Sequence, residues 1–408
     1  MYEIMKKFEF TGETKTINLL FGTATLHRIR AVAKFGFVEI GELGGWIEKE
    51  ENLSHEENAW VYGDAKVYGN AKVYGNAEVR DKAEVCGNAI VYGNAKVGED
   101  AEVYDNAEVC GNAEVCGNAQ IYDNAEVYDK AEVYGNAQIY GNAKVRADAK
   151  VYGKAEVCGK AGVRGKAEIW DDAKVYDNAI VCEDANVYGN AQIYGNAKVR
   201  ADAKVYGKAG VCGKAEVRGK AEIRDDANVY GNANVYGNAN VYGNAKIYGN
   251  AKVYDNAKVW DDAKVYDNAE VCGNAKVWED AKVYVNAKVY SNAEVYSNAK
   301  VYGNAKVYGN AEVCGKAEVC GKAEVFSTRH VLVIGTIGSQ DDLATFYRDK
   351  DNEITVKCGY FLDKIDKFLE KVTETHGDSN YALVCRAAVE AARLQIDLSN
   401  EVTKDADE

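Results

Sequence analysis

An alanine recurs every six residues from Ala59 to Ala323 without one insertion, so forty-five hexads of the form Ala-x-Val-Tyr-Gly-Asn follow one another. A chain of 408 residues would ordinarily hold two or three globular domains. A period this strict instead predicts an array that grows in one dimension, each unit packing on its neighbours. Position 1 of the hexad is always Ala, and position 3 is always Val or Ile. Position 2 is mostly Lys, Glu, Asn or Gln, and position 4 is Tyr, Cys, Arg, Trp, Gly or Phe. Side chains alternate between the two faces of a strand. Positions 1 and 3 are therefore expected to face a shared interior. Positions 2 and 4, which accept charges such as Arg80, Arg146 and Arg164, are expected to face water. Positions 5 and 6 are rich in Gly, Asn and Asp, which tolerate left-handed backbone at little cost. A short strand and a corner every six residues predict a polygonal coil of parallel strands, not a stack of hairpins.

The stretch AQIYGNAKVRADAKVYGKA occupies 137–155 and returns at 191–209, an offset of 54 residues. Duplication of whole coils keeps every outward residue on its own face, and 54 is three coils of eighteen. Three hexads per coil give about fifteen coils, which at about 4.8 Å each make a rod on the order of 70 Å long. The pattern resembles the hexapeptide-repeat, left-handed parallel β-helix, in which an aliphatic residue is followed four positions later by a small one, as Val67 is by Ala71. The left hand comes from the resemblance, since general connection rules favour the opposite one. The expected fold class is mainly β: a left-handed parallel β-helix over 59–325, an N-terminal β cap over 1–58 and a C-terminal α+β domain over 326–408.

Open backbone edges at the ends of a coil stack invite sticking, and both ends carry different sequence. KFEFTGETKTINLL and TATLHRIRAV read as strands, and GELGGWIEKEENLSHEEN leads into the first coil, with Trp46 and Leu53 expected to cover it. After the repeat, HVLVIGTIG and TFYRDKDNEITVKCGYF read as three strands with DKDN as a turn. FLDKIDKFLEKVTETHG has Phe361, Ile365, Phe368, Leu369 and Val372 at helical spacing, with Gly377 as C-cap. SNYALVCRAAVEAARLQI makes a second helix with Ser379 as N-cap, and the tail EVTKDADE is expected to fray. The pairing of GGWIEKEENLS with AxVYGN hexads, and the tail GTIGSQDDLATFYRDKD…CGYF…ETHGD, are similar to uncharacterised hexapeptide-repeat proteins of bacteria, often associated with phages and prophages. That resemblance covers nearly the whole chain. It implies a bacterial or phage-infected cell and no established chemistry.

A net charge of −14 argues against general nucleic-acid binding. No run of eighteen apolar residues exists to span a membrane. MYEIMKKFEF lacks the apolar core of a secretion signal. Nine of the eleven Cys fall irregularly in the position-4 slot, which favours free thiols in a reducing, cytoplasmic compartment over disulfides or a metal site. Hexapeptide acyltransferases use a His as general base, and the carbonic anhydrases of that fold need three around zinc. The four His here, His27, His55, His330 and His376, all lie outside the hexads. No catalytic residue, metal or cofactor is therefore expected, and an acyltransferase-like enzyme ranks last. Ice binding wants ranks of Thr that the hexads lack. DNA mimicry wants far more acid than the net of −5 between 59 and 325.

Twenty-five of the 29 Tyr occupy position 4 and should stack coil upon coil. Strand preference and ring packing explain such rows; a protein interface or sugar-binding surface would use them. In GTIGSQDD the phosphate-loop pattern is incomplete, and a turn between strands is the better reading. Ser339, Asp341, Asp342, Arg348, Cys358 and His376 are polar groups that the repeat does not need, and they form the candidate ligand- or partner-binding set. Cys358 with His376 as a nucleophile pair is a weak option. The leading expectation is a non-catalytic structural or interaction protein, self-associating or binding another protein. The caps disfavour end-to-end polymerisation, while a side-by-side homotrimer follows by analogy with the acyltransferases. The alternative is a small-ligand-binding or sequestering protein in phage–host conflict, acting through the C-terminal domain or inter-subunit grooves.

Overall fold

The computed structural model describes residues 5–19 and 22–399; the tail EVTKDADE, expected to fray, lies outside the described residues. The chain is mainly β, a parallel β-solenoid of about 16 coils with a small C-terminal domain of two helices and a four-stranded antiparallel sheet. It divides into two compact units, Met1–Gly207 and Lys208–Glu408.

The first unit opens with β1 (Phe8–Leu19) and β2 (Gly22–Ala31), an antiparallel hairpin. The next strand, β3 (Leu43–Ile47), pairs antiparallel with β2 on one side and parallel with the first solenoid face on the other, Ile47 opposite Val67. It thus converts one sheet type into the other and covers an open edge. Its two glycines are needed for that close approach. A Cβ on Gly44 would lie 2.6 Å from Ile29 Cγ1, and one on Gly45 would lie 2.6 Å from the Ala65 carbonyl.

Leu53 covers the first coil as expected, fully buried and bridged to Val73. Trp46 does not. Strand alternation turns Ile47 inward and so turns Trp46 outward, where Arg28 and Lys15 lie 5.6 and 5.8 Å over its ring. The buried indole is Trp60, with Phe35 and Phe8 rings at 5.3 and 6.3 Å. The Lys7 ammonium is buried beside it and donates to the Ala59 carbonyl at 2.8 Å; burial pulls its pKa down to about 8, opposed by the Glu57 charge.

In each unit the repeat forms two-residue strands at hexad positions 2 and 3, each paired in parallel with the strand eighteen residues on. Glu102 faces Gln120, which faces Gln138; in the second unit Asn234 faces Lys252. The three-hexad coil is thereby observed. Every hexad Ala and Val or Ile is at most 1% exposed. Each buried Val side chain contributes roughly 1.5–3 kcal/mol, and only neighbouring coils supply that burial. Position 5 takes left-handed backbone from Gly63 to Gly321, as at Gly117 (φ 77°) and Asp105 (φ 57°). A Cβ on Gly117 would come within 2.7 Å of the Gly135 backbone, so coils at a Gly-over-Gly corner pack closer than side chains allow.

The second unit ends in a sheet of Val331–Ile337, Asp342–Arg348, Ile354–Cys358 and Phe361–Lys364, paired in that order, with α1 (Ile365–His376) and α2 (Asn380–Gln395) sharing its core. The helix expected from Phe361 starts instead at Ile365. Phe361 and Leu362 pair with Cys358 and Lys357, so the sheet edge takes the first four residues as a fourth strand. Gly377 caps α1, its N–H donating to the Thr373 carbonyl at 3.0 Å, and the Ser379 hydroxyl accepts from Ala382 N at the start of α2. The domain docks on the last coils of its own unit. Glu318 N donates to Thr345 Oγ1 at 3.0 Å, Lys350 N donates to the Lys322 carbonyl at 3.0 Å, and Ala323 bridges Asp349.

Candidate functional site

The repeat sets two outward rows on every face, one at position 2 and one at position 4. The position-4 rows are aromatic ladders. In the second unit Tyr230, Tyr248, Tyr266, Tyr284 and Tyr302 stack with centroids 4.8–4.9 Å apart. Tyr242, Trp260, Trp278 and Tyr296 form another ladder at 5.5, 4.8 and 4.5 Å. The first unit carries shorter ladders, such as Tyr104, Tyr122 and Tyr140 at 5.0 and 4.9 Å. Because ring covers ring, most of these side chains are half-buried and not fully in water, which refines the simple in–out reading of the hexad. What they present is a row of ring edges and hydroxyls. Burial, then the neighbouring phenols, push Tyr248 up to about 12, so its hydroxyl is neutral at physiological pH, and the Tyr302 hydroxyl donates to Glu318 at 3.2 Å.

The position-2 rows are charge ladders. Lys144 pairs with Glu126 at 2.8 Å, Lys276 with Glu294 at 2.8 Å and Lys306 with Glu324 at 2.7 Å, each across one coil. Such exposed pairs contribute roughly 0–1 kcal/mol each. The corners carry a third ladder that residue-by-residue reading missed. Asn232 donates to Asn250 Oδ1 at 3.0 Å, Asn250 to Asn268 at 3.0 Å and Asn268 to Asn286 at 3.2 Å. The signal was the recurrence of Asn at eighteen-residue intervals, visible once the coil length is known.

The six candidate residues of the C-terminal domain divide. Ser339, Asp342, Cys358 and His376 come together around a cavity of about 140 Å³, walled by Phe361, Phe368 and Cys385. Asp341 sits in the preceding turn, exposed and in left-handed backbone (φ 52°). Arg348 points the other way, into the last coil. It is 4% exposed, donates to the Glu324 carbonyl at 3.3 Å and lies 4.6 Å over the Phe326 ring, so it fastens the domain to the solenoid.

Within the cavity, burial, then the charges of Asp342 and Cys385, push the Cys358 thiol up to about 11. A thiol held protonated is a poor nucleophile, and among the described residues neither Cys358 nor His376 hydrogen-bonds the other. Two of the other histidines serve the ends of the solenoid. His330 Nδ1 accepts from Phe326 N at 3.2 Å, and His55 Nδ1 accepts from Lys7 N at 3.2 Å. All eleven cysteines are free thiols. Among the described residues no group of three or more His, Cys, Asp or Glu is arranged to hold a metal ion, and no helix is long and apolar enough to cross a membrane. In comparisons with known proteins, no family model matches the chain and no curated protein matches it.

Proposed function

We propose that the chain is a non-catalytic interaction scaffold, a β-solenoid whose outer faces bind a second copy of itself or another protein. The observation that supports this most is the ladder Tyr242–Trp260–Trp278–Tyr296, whose rings stack at 4.5–5.5 Å and remain half-exposed. Large aromatic side chains already fixed by their neighbours lose little conformational entropy on docking, and they bury apolar area and offer polar tips together. The resemblance of the repeat to hexapeptide proteins supports a left-handed coil and a bacterial or phage-infected cytoplasm as the setting. It also supports side-by-side assembly, a homotrimer by analogy.

Sedimentation of the full chain against Trp260→Lys/Trp278→Lys tests this reading. Oligomers in the parent that dissociate in the variant, with the fold intact by circular dichroism, support self-association. A parent that stays monomeric at high concentration moves the reading to a different protein as partner. An assembly indifferent to the substitution removes this ladder from the interface. A second reading, a small-ligand-binding protein in phage–host conflict, draws its support from the convergence of Ser339, Asp342, Cys358 and His376 on one cavity.

A further inference from the structure

Most lysines of the repeat follow a rule that one face breaks over four consecutive rungs. Most position-2 lysines elsewhere meet a glutamate one coil away, as Lys66 with Glu84, Lys174 with Glu156, and Lys252 and Lys288 both with Glu270; where two lysines stand opposite each other on another face, as Lys258 with Lys276 or Lys288 with Lys306, the next rung holds a Glu. On one face of the second unit, Lys246, Lys264, Lys282 and Lys300 instead stand opposite one another in register, with no acid between them. Lys300 alone of the four finds a carboxylate, Glu318 at 2.7 Å. Like charges directly opposite on neighbouring strands destabilise a sheet, and a single Glu at any rung would relieve it, as happens on the other faces.

The lower rungs of this ladder form one wall of a groove of about 470 Å³ between the last coils and the C-terminal sheet of the same unit. Lys316 from the solenoid and Lys357 from the sheet add to it, giving five ammonium groups against three carboxylates. One of those carboxylates, Glu318, is already engaged by Lys300 and by Lys357 at 3.6 Å. Beside the lysines on the same face run Tyr266, Tyr284 and Tyr302, whose stacked rings hold their hydroxyls in a row. The fourth side is Asp342, which packs so tightly on Gly359 that a Cβ there would clash with its carboxylate.

We propose that this groove binds an oligophosphate, a short chain of linked phosphate groups laid along the lysine rungs. The volume lies in the range of small-ligand sites. Ammonium groups act as point charges that suit tetrahedral oxyanions, whereas planar carboxylates favour the arginine fork, which this groove lacks. The excess of positive charge is small, because Asp280 and Asp342 share the wall, and that suits a few phosphates and not a duplex. The ligand supplies the counter-charge that the ladder omits. This site is separate from the Tyr242–Trp260–Trp278–Tyr296 ladder, so the proposal stands or falls apart from the scaffold reading.

The test is calorimetric titration of the full chain with inorganic tripolyphosphate, with ATP and with orthophosphate at fixed ionic strength. The same titrations are made on Lys264→Gln/Lys282→Gln and on a control, Lys130→Gln/Lys154→Gln, which removes the same charge from exposed corners of the first unit. Saturable binding of tripolyphosphate or ATP, weakened at least about tenfold in the ladder variant and unchanged in the control, is expected. ATP binding more tightly than tripolyphosphate identifies a nucleotide as the source of the phosphates, and the reverse order identifies an inorganic chain. Loss of ligand-free repulsion should also raise the melting temperature of the ladder variant, which shows that it folds. Equal weakening in both variants, or no binding beyond that of orthophosphate, overturns the proposal.

Discussion

The Tyr347 hydroxyl lies 3.4 Å from the Cys320 thiol, and both side chains are almost wholly buried where the C-terminal sheet meets the last solenoid coil. Burial, reinforced by the Cys320 sulfur, raises the Tyr347 pKa far above its usual value, so the contact is a neutral one. The ring is the larger part of the joint. Tyr347→Ala should cost about 3–5 kcal/mol, in the range of other buried aromatics cut to Ala. Tyr347→Phe, which removes only a neutral hydrogen bond, should cost about 1 kcal/mol. Among the described residues both α-helices lie in this domain, so urea unfolding followed by the helical circular-dichroism signal reads the joint directly. Similar losses for both variants would show that the hydroxyl, not the ring, holds it.

Coil length gives a second expectation. Removing residues 113–130 deletes one whole coil and leaves later outward residues of the first unit on their own faces. Removing 113–118 deletes one hexad and moves every later row by one face relative to the earlier coils, so Tyr104 no longer meets Tyr122 and Gln120 no longer meets Glu102. The interior tolerates both, because each hexad offers the same Ala and Val. The first deletion should therefore melt close to the parent, and the second should melt lower by several small pair terms, each about 0.2–1 kcal/mol. Identical melting of the two deletions in calorimetry would count against the ladders as stabilising features.

His330 makes the C-terminal docking acid-sensitive. Burial, then the nearby Arg348 charge, lowers its pKa from 6.5 to about 4, and its Nδ1 accepts from Phe326 N. Below pH 6.5 the unfolded chain takes up a proton that the folded domain refuses until about pH 4. Stability present in full above pH 6.5 is thus lost progressively as the pH falls through that window. His330→Asn keeps an acceptor without a titrating ring and should flatten this part of the profile. Urea midpoints measured across the window check it; an unchanged slope would assign the acid loss to carboxylates instead.

One corner of the repeat is written with the wrong letter. Val285 occupies position 5 with φ 63°, where the flanking hexads place Glu279 and Ser291 and most others place Gly or Asp. Left-handed backbone costs an L-residue roughly 1–2 kcal/mol, and β-branching makes it worse. Its side chain is 37% exposed, so little packing offsets that strain. Val285→Gly should stabilise the second unit by about 1 kcal/mol after the entropy cost of glycine. A fall in melting temperature would mean that the exposed Val makes a contact worth more than the strain.

The interior was the most legible part of the sequence, because Ala and Val at fixed positions leave one way to alternate and eighteen-residue duplication fixes the coil. Trp46 and Trp60 show where legibility ended. Which indole goes inward depends on the phase of β3 against the first hexad, and no period extends back to set it. Phe361–Lys364 failed for a related reason: its apolar spacing fits the first turn of a helix and the last strand of a hairpin equally, and pairing with Ile354–Cys358 decides. Among the candidate site residues, Ser339, Asp342, Cys358 and His376 were recognisable as spare polar groups. Their shared cavity was not, since it depends on how α1 lies on the sheet. Arg348 looked equally spare until its burial against Phe326 showed a packing role.

The cavity of the C-terminal domain makes a last prediction about its thiol. If Cys358 were an activated nucleophile, it would be the first cysteine to react with iodoacetamide near neutral pH. Its surroundings argue the reverse: burial and the Asp342 carboxylate push it up to about 11, so the thiolate that does the attacking is scarce. Cys314, which is exposed on the solenoid, should be alkylated well before it, and the buried Cys320 and Cys385 should be slowest in the folded protein. Peptide mass spectrometry after timed alkylation reads all four. Raising the pH towards 11 should bring Cys358 into reaction without unfolding the domain, whereas Asp342→Asn should advance it at lower pH by removing the repelling charge. Fast labelling of Cys358 at neutral pH in the parent protein would reverse this assignment and make the Cys358–His376 side of the cavity the first place to look for chemistry.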